Sequence, residues 1–322
     1  MRMPDQSPSW IDFDLSTYLA HRRAVVDDAL DIYLPAAPAQ PRTDDTDLHA
    51  PNGKAPVRLH ESMRYSIFCG GKRLRPILSL AAVEALGGDY HHVLPLACAV
   101  ECIHTFSLIH DDLPAIDDDA YRRGNPTNHM VYGEAMAILA GDALLAMAFE
   151  LIAQCRLFFP AERVLDALTM VASASGTRGM VGGQVSDIEC EGRTGLDEET
   201  VASIHARKTG ALLIASLVAA ARLCEPSLEQ EQALWTYGTK IGLAFQITDD
   251  ILDLEGDAVK LGKEVGSDLR QDKATYPKVL GLERSRILAN ETAEAAINAL
   301  TGFDHRADPL RALARYVVER DS

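Results

Sequence analysis

Along most of this chain, apolar residues recur every three to four positions, the spacing of one face of an α-helix. The pattern covers 57–68, 77–86, 94–109, 135–157, 164–174, 201–223, 234–254 and 287–300. No alternating pair of runs around an Asn-Gly or Asp-Gly turn competes with it. An all-α fold is expected. Several of these segments are apolar around most of their circumference, a property of interior helices in a large bundle, so the polar residues they do carry are informative.

With 322 residues the chain is long enough to bury a large core. Residues 1–34 are expected to form an N-terminal extension and a first helix. The Pro- and Asp-rich stretch 35–56 has the composition of a mobile surface loop, and 57–322 supplies the remainder of a single all-α domain. The net charge of -16 argues against nucleic acid or an anionic membrane surface as a partner, since both select basic footprints. No stretch of about 20 uninterrupted apolar residues is present, so no membrane span is expected. Residues 1–34 lack the apolar core of a secretion signal, and the six cysteines include no C-x-x-C pair. Reduced thiols and a cytoplasmic location follow as expectations.

Two acidic clusters interrupt the apolar pattern. The first runs Asp111-Asp112-Leu113-Pro114-Ala115-Ile116-Asp117 and continues into Asp118, Asp119, Arg122 and Arg123. On a straight helix Asp111 and Asp117 would point about 120° apart. Pro114 prevents that helix, because it has no N–H and its ring meets the carbonyl of His110. The second cluster, Gln246-Ile247-Thr248-Asp249-Asp250-Ile251-Leu252-Asp253, stacks Asp249 over Asp253 one turn apart, with Gln246 on the same stripe. Like charges at about 4 Å and an effective dielectric near 20 repel by about 4 kcal/mol, so a cation is expected among them. Carboxylates without His or Cys partners suit a hard ion, and Mg²⁺ typically takes one or two carboxylates together with substrate phosphates.

Basic residues supply the complement to such phosphates. Gly70-Gly71-Lys72-Arg73-Leu74-Arg75 gathers three cations at a turn that leads into a helix, and Arg122, Arg123, Lys208 and Lys263 lie near helix ends or turns. His104 precedes Asp111 by two turns on the same face. Gly182-Gly183-Gln184-Val185-Ser186-Asp187 is small enough for its backbone to approach a ligand closely.

Taken in order, the Lys72–Arg75 turn, both aspartate clusters, Lys208-Thr209-Gly210, Gly262-Lys263 and Thr275-Tyr276-Pro277 resemble the trans-prenyl diphosphate synthases over 57–282. The resemblance implies a helical bundle around a deep central cavity, a homodimer, and head-to-tail condensation of isopentenyl diphosphate with an allylic diphosphate. It implies Mg²⁺ held by Asp111, Asp117 and Asp249, with Asp112, Asp250 and Asp253 as supporting charges. Arg122, Lys208, Thr209, Gln246 and Lys263 resemble the allylic diphosphate grip, and Lys72, Arg75, His104 and Arg123 the isopentenyl diphosphate site. Lys273 occupies a further basic position of the pattern.

Phe106, five residues before Asp111, and the two extra residues inside the first aspartate motif resemble bacterial farnesyl diphosphate synthases. That likeness makes Phe106 the candidate floor of the cavity and a C15 product the expectation. Synthases of C20 geranylgeranyl or C10 geranyl diphosphate differ only in cavity depth and stay as alternatives. A noncatalytic synthase subunit would be expected to lose metal carboxylates, and none is missing. Arg320 stands near where C-terminal basic residues fold over the site in some relatives, and nothing in the sequence places it there.

Overall fold

The computed structural model describes residues 9–36, 56–193, 197–255 and 275–320. The chain begins with α1 (Leu15–Tyr33), α2 (Val57–Ile67), α3 (Leu74–Ala85) and α4 (Leu94–Asp111). A two-residue-stranded hairpin follows, β1 (Tyr121–Arg122) against β2 (Asn125–Pro126). Then come α5 (Asn128–Tyr132), α6 (Glu134–Gln154), α7 (Ala161–Ser175), α8 (Met180–Cys190) and α9 (Glu198–His205). A single π-helical turn, Ala206–Gly210, joins α9 to α10 (Ala211–Leu223). The 28-residue α11 (Leu228–Glu255), α12 (Tyr276–Leu280), α13 (Leu282–Ala299) and α14 (Asp308–Glu319) complete the described chain.

Every helical stretch expected from the apolar spacing is present, and α5, α8, α12 and α14 appear besides. In α14, Leu310, Leu313, Ala314 and Val317 repeat at one-helix-face spacing and are buried. Most of the 35–56 loop lies outside the described residues, as do Gly262, Lys263 and Lys273. The hairpin is a departure. Its turn is Arg123-Gly124, with φ of 54° and 77°, the left-handed pair that a two-residue hairpin connection needs.

The two larger parts of the core share α3 and α10, and a smaller one gathers Val201, Ile247, Tyr276 and Ala289. On α10, Leu212, Ala215 and Ala219 face a cluster built with α1, α4, α6 and α7, while Leu213, Leu217 and Val218 face one built with α11, α13 and α14. A helix that fills both sides has no polar face to spare, which accounts for the nearly unbroken apolar run of α10. The six cysteines are free thiols, with Cys98, Cys102 and Cys155 buried.

Among the described residues three helical stretches, Tyr90–Asp111, Glu134–Leu157 and Glu198–Leu223, are long and apolar enough to cross a membrane by length and composition alone, although none is an uninterrupted apolar run. Two of them use that apolarity inside the bundle, with 72% and 61% of the window buried for Tyr90–Asp111 and Glu198–Leu223. For Glu134–Leu157 the share is 39%. The outer stripe of α6 leaves Ile138 and Leu139 exposed.

Candidate active site

The first aspartate cluster is shaped by the end of α4. The helix stops at Asp111, and the carbonyls of Leu108 and His110 accept from the N–H of Asp112 in a tightened last turn. Pro114 offers no N–H to His110, as the sequence suggested, and the chain curls into a loop instead. Asp118, with φ of 54°, sends its N–H back to Leu113 at 3.2 Å. Asp117 donates its N–H to the carbonyl of Asp111 at 2.8 Å, which brings the two carboxylate-bearing residues together across the break.

The arginines arrive on the hairpin. Arg122 grips Asp112 at two points, with Nε 2.8 and 3.0 Å from the two carboxylate oxygens and Nη2 2.6 Å from Oδ1. Both oxygens of Asp112 therefore accept from Arg122, and the carboxylate fixes the position of that arginine. Arg123 donates to the carbonyl of Gly70 at 2.5 Å, which ties the hairpin to the turn before α3.

Lys208 comes from the π-helical turn. Such turns insert one residue into a helix and re-aim the side chains around it. Here the turn directs the Lys208 ammonium to the Asp187 carboxylate of α8 at 2.6 Å. Gly183 makes the approach possible, since a Cβ there would stand 2.2 Å from the backbone nitrogen of Lys208. Gly183 thus admits the π-helical turn, where the sequence had suggested close approach to a ligand.

Electrostatics link Lys208 to the first cluster. Burial pushes the Asp111 carboxyl up to about 6; the Lys208 charge opposes the rise and the neighbouring Asp117 adds to it. Lys208 is held above its ordinary value: burial works against its charge, and the carboxylates of Asp187 and Asp111 outweigh that.

A second group of cations lies nearby. Arg75 has its Nε shut off from solvent with no hydrogen-bond partner, and burial lowers its proton affinity. His104 is pushed well below the usual imidazole range by burial and then by the charges of Arg75 and Arg123. Lys72 is lowered by burial and by the charge of Arg320. An orphaned guanidinium nitrogen among like charges is costly unless an anion completes the set. Arg73, by contrast, turns inward, binding Asp27 and Glu101 at 2.8 and 2.9 Å and the carbonyl of Ile67 at 2.7 Å. Of the cations at that turn, Arg73 is thus committed to the protein itself.

On α11 the second cluster divides. Asp249 is the open member, at 42% side-chain exposure, and accepts from Arg320 of the segment that follows α14. Arg320 also lies over the Phe245 ring, 4.1 Å from its centroid. Asp250 and Asp253 are buried, and Asp250 accepts the N–H of Tyr276 at 2.8 Å. Gln246 meets His205, a residue for which the sequence held no signal beyond its nearness to Lys208. Thr209 lies half-buried beside Lys208. Phe106 is 8% exposed and packs edge-on against His110, whose Nε2 is 3.1 Å from the carbonyl of Ile138 on α6.

Among the described residues no group of three or more His, Cys, Asp or Glu is disposed to hold a metal ion alone. The donor chemistry still fits a hard cation. Asp111 and Asp117 are drawn together by the loop and repel one another, and a cation that takes its remaining ligands from a bound diphosphate needs no closed protein cage.

The arrangement sets oxygen donors for a metal near buried basic groups, among them Arg75 with its orphaned Nε. The model of the family described as polyprenyl synthetase matches residues 56–309. The chain belongs to that family. As a polyprenyl synthetase it is a prenyltransferase that makes a prenyl diphosphate. It is 44% identical over 315 residues to a geranylgeranyl diphosphate synthase of Cyanophora paradoxa, covering 98% of this chain and 99% of the relative. A chloroplastic geranylgeranyl pyrophosphate synthase of Capsicum annuum is 49% identical over 270 residues, 84% of this chain and 73% of the relative. Among solved polyprenyl synthetase structures, an FPP/GFPP synthase from Zymomonas mobilis superposes with a TM-score of 0.79 at 36% identity, over 95% of this chain and 99% of that one.

Proposed function

We propose that the protein is a Mg²⁺-dependent geranylgeranyl diphosphate synthase, extending an allylic diphosphate with isopentenyl diphosphate to a C20 product. The observation that carries the reaction is the pairing of the Asp111–Asp117 loop with buried basic residues, Arg75 with its orphaned Nε and His104 close to its charge. The C20 product draws on the relatives of Cyanophora paradoxa and Capsicum annuum, whose names give geranylgeranyl products.

Asp111, Asp117 and Asp249 hold Mg²⁺ in this reading, with Asp253 as a supporting charge and Asp112 orienting Arg122. The ion supplies positive charge against the leaving diphosphate. Arg122, Lys208, Thr209, Gln246 and Lys263 grip the allylic diphosphate. Their hold on the diphosphate strengthens as the C–O bond breaks and its electron pair passes to the diphosphate, which lowers the barrier to an allylic cation. Lys72, Arg75, His104 and Arg123 hold isopentenyl diphosphate so that its double bond forms the new C–C bond. A proton then leaves the adjacent carbon for the released diphosphate. Apolar walls keep water from the cation.

A C15 product is the second reading, and Phe106 favours it. A buried ring there shortens an apolar cavity that ends on its face of α4. The exposed apolar stripe of α6, with Ile138 and Leu139, further supports a homodimer joined along that helix.

Incubation of the purified protein with labelled isopentenyl diphosphate, dimethylallyl diphosphate and Mg²⁺, followed by dephosphorylation and chromatography of the alcohols, tests the reading. A C20 alcohol is expected. A C15 alcohol overturns the product length and keeps the reaction, while no Mg²⁺-dependent product overturns both.

A further inference from the structure

The end of α9 carries a histidine that the reaction as described does not use. His205 Nδ1 lies 2.9 Å from Gln246 Oε1 on α11. Its Nε2 is 3.6 Å from Asp250 Oδ2, and its ring stacks on Tyr276 at 5.5 Å and 25°. Asp250 Oδ2 in turn accepts the N–H that opens α12. One side chain therefore joins α9, α11 and α12, three residues before Lys208.

The chemistry of the first contact has a direction. An amide oxygen only accepts, so the hydrogen is on Nδ1. An amide can turn over about its last bond, and its two faces are opposites: an NH₂ that donates twice and an oxygen that repels an anion. With the oxygen held by His205, the NH₂ is the end that remains for a ligand.

We infer that His205 is a positioning residue that fixes the Gln246 amide so that its N–H groups, and not its oxygen, meet the allylic diphosphate. The inference rests on the proposed role of Gln246 in the allylic grip. His205 itself touches no substrate. Its effect passes through one hydrogen bond, and this separates it from a residue that only packs α9 against α11.

The test compares wild type, His205→Phe, His205→Asn, Gln246→Ala and the double variant His205→Phe/Gln246→Ala by steady-state kinetics, with thermal midpoints as a control. Phe keeps the stacking on Tyr276 and loses the donor; Asn keeps a donor at the place of Nδ1 and loses the ring. His205→Phe is expected to raise the KM for geranyl diphosphate about tenfold, with the KM for isopentenyl diphosphate within about twofold of wild type. His205→Asn is expected to recover most of that loss, and His205→Phe to add nothing once Gln246 is Ala. Equal rises in both KM values, an Asn variant no better than Phe, or an undiminished penalty in the Gln246→Ala background each overturn the proposal. Wild type without prenyl transfer overturns the functional reading instead. The same variants are then ranked by equilibrium binding of geranyl diphosphate, where the tenfold loss and its Asn recovery decide the role of His205 separately.

Discussion

Arg320 donates a hydrogen bond to the carboxylate of Asp249, 71 residues earlier in the chain. The guanidinium is only 5% exposed, lies on the Phe245 ring and also reaches the Phe245 carbonyl at 3.4 Å. A proposed metal carboxylate is thus already neutralised by a cation of the protein. Arg320→Gln is expected to lower the unfolding free energy by about 1 kcal/mol, with an unchanged denaturant slope. It is also expected to reduce the Mg²⁺ concentration that gives half-maximal rate. A variant that needs more Mg²⁺ than wild type would show that Arg320 assists the ion.

The pH response of metal activation follows from Asp111. With its carboxyl raised to about 6, the group keeps its proton below that pH and offers a cation no charge, so Mg²⁺ activation should weaken as the pH falls through about 6. Lys208 opposes the rise, and Lys208→Gln removes that opposition. The acid limb of the variant is expected at higher pH than that of wild type. Apparent Mg²⁺ affinity measured across the range separates this shift from a simple loss of rate.

Gly183 governs the seat of Lys208. In Gly183→Ala the new methyl meets the Lys208 backbone nitrogen at 2.2 Å, and its three nearest contacts, on Lys208 and Arg207, are all backbone, with no flexible side chain to move aside. Overpacking of this kind costs about 1–3 kcal/mol. The variant is expected to melt earlier and to lose kcat more than Gly182→Ala paired with restored stability at lower temperature.

Phe106 decides between the two product lengths. Its contact with His110 turns it toward α6, about 140° around α4 from Asp111. On the C20 reading Phe106→Leu leaves the product length unchanged, and Phe106→Ala does the same at a cost in stability of about 3–5 kcal/mol. Longer alcohols from either variant would make Phe106 the floor and favour the C15 reading for wild type.

Much of the bundle was legible because interior helices leave their period in the sequence. The break at Pro114 was legible too, since a missing N–H has a local consequence. What the break achieves was not: the return of Asp117 to Asp111 depends on a left-handed Asp118, a conformation no pattern announces. Arg73 and Arg75 are two residues apart and equally basic, yet one is sealed against Asp27 and Glu101 and the other keeps an orphaned nitrogen, because the left-handed Arg73 backbone aims them differently. The same limit hid the pairing of Asp112 with Arg122 and of His205 with Gln246, which join elements distant in the chain. The hairpin escaped notice because its turn is Arg-Gly, where the search was for Asn-Gly or Asp-Gly.

The neutral imidazole of His104 has a calorimetric consequence. It is held uncharged by burial and by the arginines around it, and a diphosphate seated among Arg75, Arg123 and His104 reverses that local field. Ligand binding there draws a proton from solution. The heat of binding of isopentenyl diphosphate should therefore vary with the ionisation enthalpy of the buffer, and the slope of that dependence counts the protons taken up.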